Sequence, residues 1–407
     1  MRTIPLSLSL IALLALTACS GASPGPVAEP SAPVAGDASG HGEVAGAEEA
    51  SEPPLALLSV AEDGAVGLLD LLDGATRELG VIGAPSALTT DGRYAFVTTP
   101  AGLEIVDSGR WTWDHGDHFH YYRAEPRLVG AVEGEGPAAV ATGPLSTAGA
   151  TGVFFAGSGE AVLLDNAALS EGRIEERWRV SAGAHPGIAA PLGDGAVVTA
   201  ADAAGRVTGV RYVDASGRPD DAATAECRDA RGTITTRAAL VIGCADGAVL
   251  ARMDAGDPVF EHVRYPDQAS PALSFAARKG RPTVAGVAAD GSVWLLDTRE
   301  AAWSRLVVDA PVVQAVAIDD EDGHVVLLDA HGRLRVADAA GREPSVSEPL
   351  IDAGEAPHAS LTADAQRAYL AAPGEGVVHE VDFADGGRVA RTLETPTAPD
   401  FVAEVGR

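Results

Sequence analysis

One pattern fills the chain beyond Leu55 and limits what it can become: a turn glycine, a short apolar strand, then an aspartate. The glycines are Gly64, Gly102, Gly159, Gly205, Gly247, Gly291, Gly332 and Gly376. Their aspartates are Asp70, Asp107, Asp165, Asp214, Asp254, Asp297, Asp338 and Asp382. Successive glycines stand 38, 57, 46, 42, 44, 41 and 44 residues apart. Four short strands in a period near 44 are the dimensions of a propeller blade. The expected fold is therefore all-β, a β-propeller of eight four-stranded blades, with seven as the alternative. Residues 55–60 are the only strand before Gly64, so the first unit lacks its innermost strand. Residues 399–405 are left over at the other end and are expected to pair into that blade, closing the ring and removing its exposed edges. The aspartates read as turn formers, each carboxylate accepting backbone N–H groups where a strand ends. Residues 319–322 are acidic, but Ile318 breaks the alternation a calcium loop needs, so they read as a solvated turn.

The first 54 residues do not share the pattern. Arg2 precedes an apolar run over residues 4–16, a secretory signal too short to span a bilayer. Its ending, Leu16-Thr17-Ala18-Cys19, resembles a bacterial lipobox, which implies cleavage before Cys19 and lipid on its sulfur. Residues 20–54 are mostly Gly, Ala, Ser, Pro and Glu, and His41 is their one histidine. Such a segment buries too little to offset its ordering entropy and reads as a disordered tether. The organisation expected is signal over 1–19, tether over 20–54 and propeller over 55–407. The protein is then extracytoplasmic and touches the bacterial cell membrane only through its lipid.

Charge sets the choice of partner. With 29 basic and 58 acidic residues the net charge is −29, and Lys279 is the sole lysine. This repels phosphate backbones and favours cations, so nucleic acid is excluded. Cys227 and Cys244, 17 residues apart, are expected to form a disulfide between adjacent strands of the fifth blade. A thiolate metal pair would want histidines nearby, and none lies between them.

The spacing of 57 exceeds the period by about 13, and the excess follows Asp107, between the third and fourth strands of the second blade. It reads Trp111-Thr112-Trp113-Asp114-His115-Gly116-Asp117-His118-Phe119-His120-Tyr121-Tyr122, which places three of the chain's 10 histidines within six residues. On an extended segment His118 and His120 leave the same face, and His115 can return to them across a glycine turn. Three imidazoles suit Zn2+, with Asp114 or Asp117 as fourth ligand or as hydrogen-bond acceptor behind a ligand. Trp111, Trp113, Phe119 and the tyrosines would form an apolar collar. His185 and His358 open the innermost strands of the fourth and eighth blades. With His331 in a turn on the same face they form a possible second site, the alternative being isolated histidines bonded to backbone. His379 falls within a strand, and His262 and His324 read as surface strand residues.

Residues 111–123 resemble the signature of the AztD family of bacterial zinc metallochaperones, and the resemblance extends over residues 55–407, Cys227 and Cys244 included. It implies an extracytoplasmic β-propeller with two zinc sites that hands metal to the solute-binding protein of a zinc ABC importer. Carried across by position, His115, His118 and His120 are metal ligands, with Asp117, His185 and His358 as further candidates. The tether departs from the histidine-rich tethers of that family.

The expected function is thus a monomeric Zn2+ carrier rather than an enzyme. Two rivals stand beside it. Three histidines with an open position are also a hydrolytic zinc pattern, but no H-E-x-x-H helix is present and no conspicuous glutamate base adjoins the loop. The other rival is a protein-binding propeller with an incidental metal.

Overall fold

The computed structural model describes residues 42–114, 116, 118–267, 270–338 and 345–407, all within one compact unit, Ser39–Arg407. Cys19 and the signal lie outside them. The fold is nearly all β, and eight sheets have four antiparallel strands each. The second is made of Ala87–Thr90, Tyr94–Thr99, Gly102–Asp107 and Arg127–Glu133, and the eighth of Leu361–Ala363, Ala368–Ala372, Val377–Asp382 and Arg388–Glu394. The first sheet takes its innermost strand from the far end of the chain. Phe401–Val405 pairs with Ala56–Val60, Leu57 lying opposite Glu404 and Leu58 opposite Ala403. The expected pairing of the leftover strand is therefore present.

Burial explains the strand types. Ala56–Val60, Tyr94–Thr99, Ala150–Phe155 and Leu240–Cys244 are buried along their whole length, because both faces of these second strands meet a neighbouring sheet. Fourth strands such as Thr76–Val81 are mostly exposed and polar. Among the described residues eight apolar clusters lie between sheets, each joining one sheet to the next. One of them joins the eighth to the first through Tyr369, Ala371, Leu57 and Val402.

All eight motif glycines have positive φ, the conformation their second-to-third-strand turns require. At Gly159 a Cβ would stand 2.0 Å from the Gly183 carbonyl carbon, so no other residue fits that turn. Six of the motif aspartates accept a backbone N–H just beyond their strand: Asp70, Asp107, Asp165, Asp214, Asp297 and Asp382.

The structure differs from expectation at the disulfide and at the tether. The Cys227–Cys244 bond exists, with Cα atoms 5.0 Å apart. However, Cys227 follows Pro219–Glu226, the last strand of the fourth sheet, and its N–H still donates to Thr208 of that sheet. Cys244 ends the second strand of the fifth, so the bond ties two sheets rather than two strands of one. Glu48–Ala50, read as tether, forms a strand. It joins Phe119–Arg123 and Arg110–Asp114 in a ninth, three-stranded sheet.

Parallel bridges between Thr236 and Gly280 and between Ala277 and Ala317 show that first strands of neighbouring sheets run the same way. Connections from first to second and from third to fourth strands therefore emerge at one end of the sheets. The motif-glycine turns emerge at the other.

Candidate metal centre

The 13-residue excess is the hairpin Arg110–Asp114 with Phe119–Arg123, between the third and fourth strands of the second sheet as expected. Its register sets Trp111 opposite Tyr122, Trp113 opposite His120, Thr112 opposite Tyr121 and Asp114 opposite Phe119. Opposed residues share a face, so the hairpin has two distinct sides.

One side docks on the sheets. Thr112 Oγ1 donates to the Gly406 carbonyl at 2.7 Å, and Asp114 Oδ2 pairs with Arg237. Arg110 Nη2 and Arg123 Nη1 meet Asp70 Oδ2 at 2.9 and 3.2 Å. Burial works to raise the Asp70 carboxyl, but the Leu72 N–H and the Arg110 guanidinium outweigh it and hold it below the usual range. Asp114 Oδ1 also accepts the Gly116 N–H at 2.8 Å, so this carboxylate shapes the turn and binds an arginine. Phe119 and Tyr121 stack on this side, and Phe119 is exposed rather than part of a collar.

The other side carries the histidines. Trp111 is fully buried, stacked on Tyr122 with centroids 5.3 Å apart, and the Arg93 guanidinium lies 4.0 Å over its ring. Beyond this aromatic base, His118 Nε2 and His120 Nε2 face each other at 3.0 Å. Two imidazole nitrogens on one tetrahedral Zn2+ stand about 3.3 Å apart, so the pair is already near the spacing a shared cation needs. The spacing rule held because an extended segment sends alternate side chains to one face. His120 Nδ1 meets Glu49 Oε1 at 2.7 Å. Sequence reasoning missed Glu49, which lay in the supposed tether with no periodicity to mark it.

His115 and Asp117 lie outside the described residues, as does His41. Among the described residues no group of three or more His, Cys, Asp or Glu could hold a metal ion. His185 and His358 do not join the hairpin pair. They precede the first strands Ala189–Leu192 and Leu361–Ala363, at the end of the sheets opposite to the hairpin. His185 is buried against Phe154, its Nδ1 2.7 Å from the Gly183 carbonyl and its Nε2 2.9 Å from Thr199 Oγ1. Both ring nitrogens are thus engaged by the fold. His358 and His331 are exposed. His324 sits in a loop rather than a strand, with Nδ1 2.6 Å from Asp320.

No family model matches the chain. Among solved structures it is similar to AztD of Citrobacter koseri, with a TM-score of 0.74 at 20% identity, over 86% of this chain and 97% of that one. The apo form of the same protein gives the same values. It is also similar to dihydro-heme d1 dehydrogenase NirN in complex with DHE, at TM-score 0.55 and 15% identity, over 88% of this chain and 76% of that one. Sqt1 of Chaetomium thermophilum, bound to the N-terminus of ribosomal protein L10, gives 0.51 at 14% identity, over 81% and 95%. At these identities the likeness is one of fold, a propeller-like arrangement of antiparallel sheets.

Proposed function

We propose that the protein binds Zn2+ at the hairpin and carries it, outside the cytoplasm, to the solute-binding protein of a zinc ABC importer. The observation that carries this reading is the His118–His120 pair, two Nε2 atoms 3.0 Å apart on a segment added to an otherwise regular blade. The resemblance of residues 111–123 to the AztD signature and the likeness of fold to AztD support it. His118 and His120 are taken as ligands, with His115 and Asp117 completing the set. An acidic surface, net −29, favours approach of the cation.

The scaffold is read as an eight-bladed propeller closed where Phe401–Val405 pairs with Ala56–Val60. Residues 1–19 are read as a lipoprotein signal that leaves Cys19 lipidated, with the tether ending before Gly42. A carrier is favoured over a hydrolase because Glu49, the carboxylate that meets the pair, faces a ligand's Nδ1, where it orients the ring rather than activating water.

The test is elemental analysis of the purified protein followed by zinc titration against a competing chelator. At least one tightly held zinc per chain is expected. A protein that retains none, and whose His118→Ala variant titrates like the parent, has no site at the hairpin.

A further inference from the structure

The N-terminal segment lies over the hairpin as a strap. Gly42 accepts the Trp111 indole N–H at 3.0 Å, and its Cα sits so close to Trp113 that a Cβ would stand 2.4 Å from the ring. Gly42 also has φ +70°, so only glycine serves there. Six residues on, Glu48–Ala50 pairs with the outer edge of Phe119–Arg123: Glu48 lies opposite Arg123 and Glu49 opposite Tyr122. Nothing in Glu-Glu-Ala favours a strand, so backbone pairing with the hairpin edge holds it. The outcome is placement. Glu49 falls on the face of Trp111, Tyr122 and His120, and its Oε1 reaches His120 Nδ1 at 2.7 Å.

We propose that Glu49 is a positioning residue for the zinc site, brought to His120 by the strap to fix that ring's orientation and tautomer. This rests on the hairpin reading above and deepens it. A carboxylate only accepts, so the hydrogen of a neutral His120 ring lies on Nδ1 and the Nε2 lone pair is left facing His118 Nε2. That is the form in which Nε2 binds a cation. Without Glu49 this restraint on tautomer and ring angle is lost.

The experiment compares Glu49→Ala, Glu49→Gln, Glu48→Ala and His118→Ala in the otherwise intact protein. Zinc affinity is read by chelator competition, the His120 tautomer by long-range 1H–15N spectra of the zinc-free form, and coordination by the visible bands of bound Co2+. Glu49→Ala is expected to weaken zinc binding by about 10–100-fold and to lose the single Nδ1–H tautomer. Glu49→Gln keeps a carbonyl oxygen that accepts from Nδ1–H, so it should recover most of the affinity and the tautomer. Glu48→Ala, on the same strap, should leave both close to the parent. Co2+ bands should be the same in the parent and Glu49→Gln; altered bands would make Glu49 a ligand and overturn the positioning role. Unchanged affinity in Glu49→Ala, while His118→Ala loses zinc, overturns this proposal and leaves the hairpin site standing. Unchanged affinity in both removes the site itself.

Discussion

Thr112 Oγ1 donates to the carbonyl of Gly406, so the hairpin that carries the histidines rests on the end of the strand that pairs with Ala56–Val60. The Gly406 N–H in turn donates to the Gly92 carbonyl at 2.7 Å, and Lys279, the sole lysine, reaches the Arg407 carbonyl at 2.8 Å. Chain end, second sheet and hairpin thus share one set of contacts. The hairpin is built on the part of the fold where Phe401–Val405 pairs with Ala56–Val60.

His118→Ala and His120→Ala should each weaken zinc binding by at least about tenfold, since each removes one imidazole from a shared ion. His185→Ala should leave hairpin affinity unchanged and lower the melting temperature instead. Its ring is buried with both nitrogens bonded, and truncation leaves a cavity and an unmatched Gly183 carbonyl. Chelator competition and thermal melts of the three variants check this. A zinc defect in His185→Ala equal to that of His120→Ala would mean that the two ends of the sheets share a site.

Cys227 and Cys244 should resist thiol reagents until reduced. Closing a 17-residue loop constrains the unfolded chain by about 3 kcal/mol, so reduction should lower the melting temperature by several degrees. Because the bond joins the fourth sheet to the fifth, the loss should appear as earlier hydrogen exchange on both sides of that junction, around Leu240–Cys244 and Val207–Val213. Exchange confined to the fifth sheet would contradict the cross-sheet role.

Glu404 provides a test by pH. It is fully buried, and burial pushes its carboxyl up to about 8 against the pull of Arg407, whose Nη1 is 3.0 Å away. Its folded-state pKa lies above the unfolded value, so its contribution is fully present below about pH 4.5 and is lost as pH rises through about 8. The parent should therefore lose stability relative to Glu404→Gln between pH 5 and 8.5. Melting curves that stay parallel across that range would show that Glu404 does not titrate there.

The repeat was legible because its turns demand one residue type. A second-to-third-strand turn with positive φ selects glycine in every unit, and a strand-end carboxylate selects aspartate, so period and strand count follow from two residues. The hairpin was legible as an interruption of that period, and the His118/His120 pairing from alternation alone. Glu48–Ala50 was not, because its strand state comes entirely from the edge of Phe119–Arg123 and leaves no mark in its own composition. The spacing of Cys227 and Cys244 gave the bond but not the sheets it joins, since Cys227 extends the pairing of the fourth sheet past its last strand. His185 was read as a candidate ligand from its place before a first strand; its contacts with the Gly183 carbonyl and the Thr199 hydroxyl leave no mark in that spacing.

The last prediction concerns handover. The two histidines differ in exposure: His120 is half-buried, its Nδ1 meeting Glu49 Oε1, whereas His118 is exposed and the first that an incoming ligand reaches. An incoming ligand should displace His118 first, giving an ion shared by donor and acceptor before His120 lets go. Transfer to the cognate solute-binding protein should then speed up with acceptor concentration and exceed the zinc off-rate measured alone. A small chelator of matched affinity should intercept little of the metal. Stopped-flow transfer at constant pH, with acceptor varied over a decade, reads this directly. In His118→Ala any zinc that still binds should leave at a rate less dependent on acceptor, because the displaceable ligand is already gone. If the parent's rate is flat with acceptor and equals the off-rate, zinc leaves by free dissociation and the hairpin is a store rather than a donor.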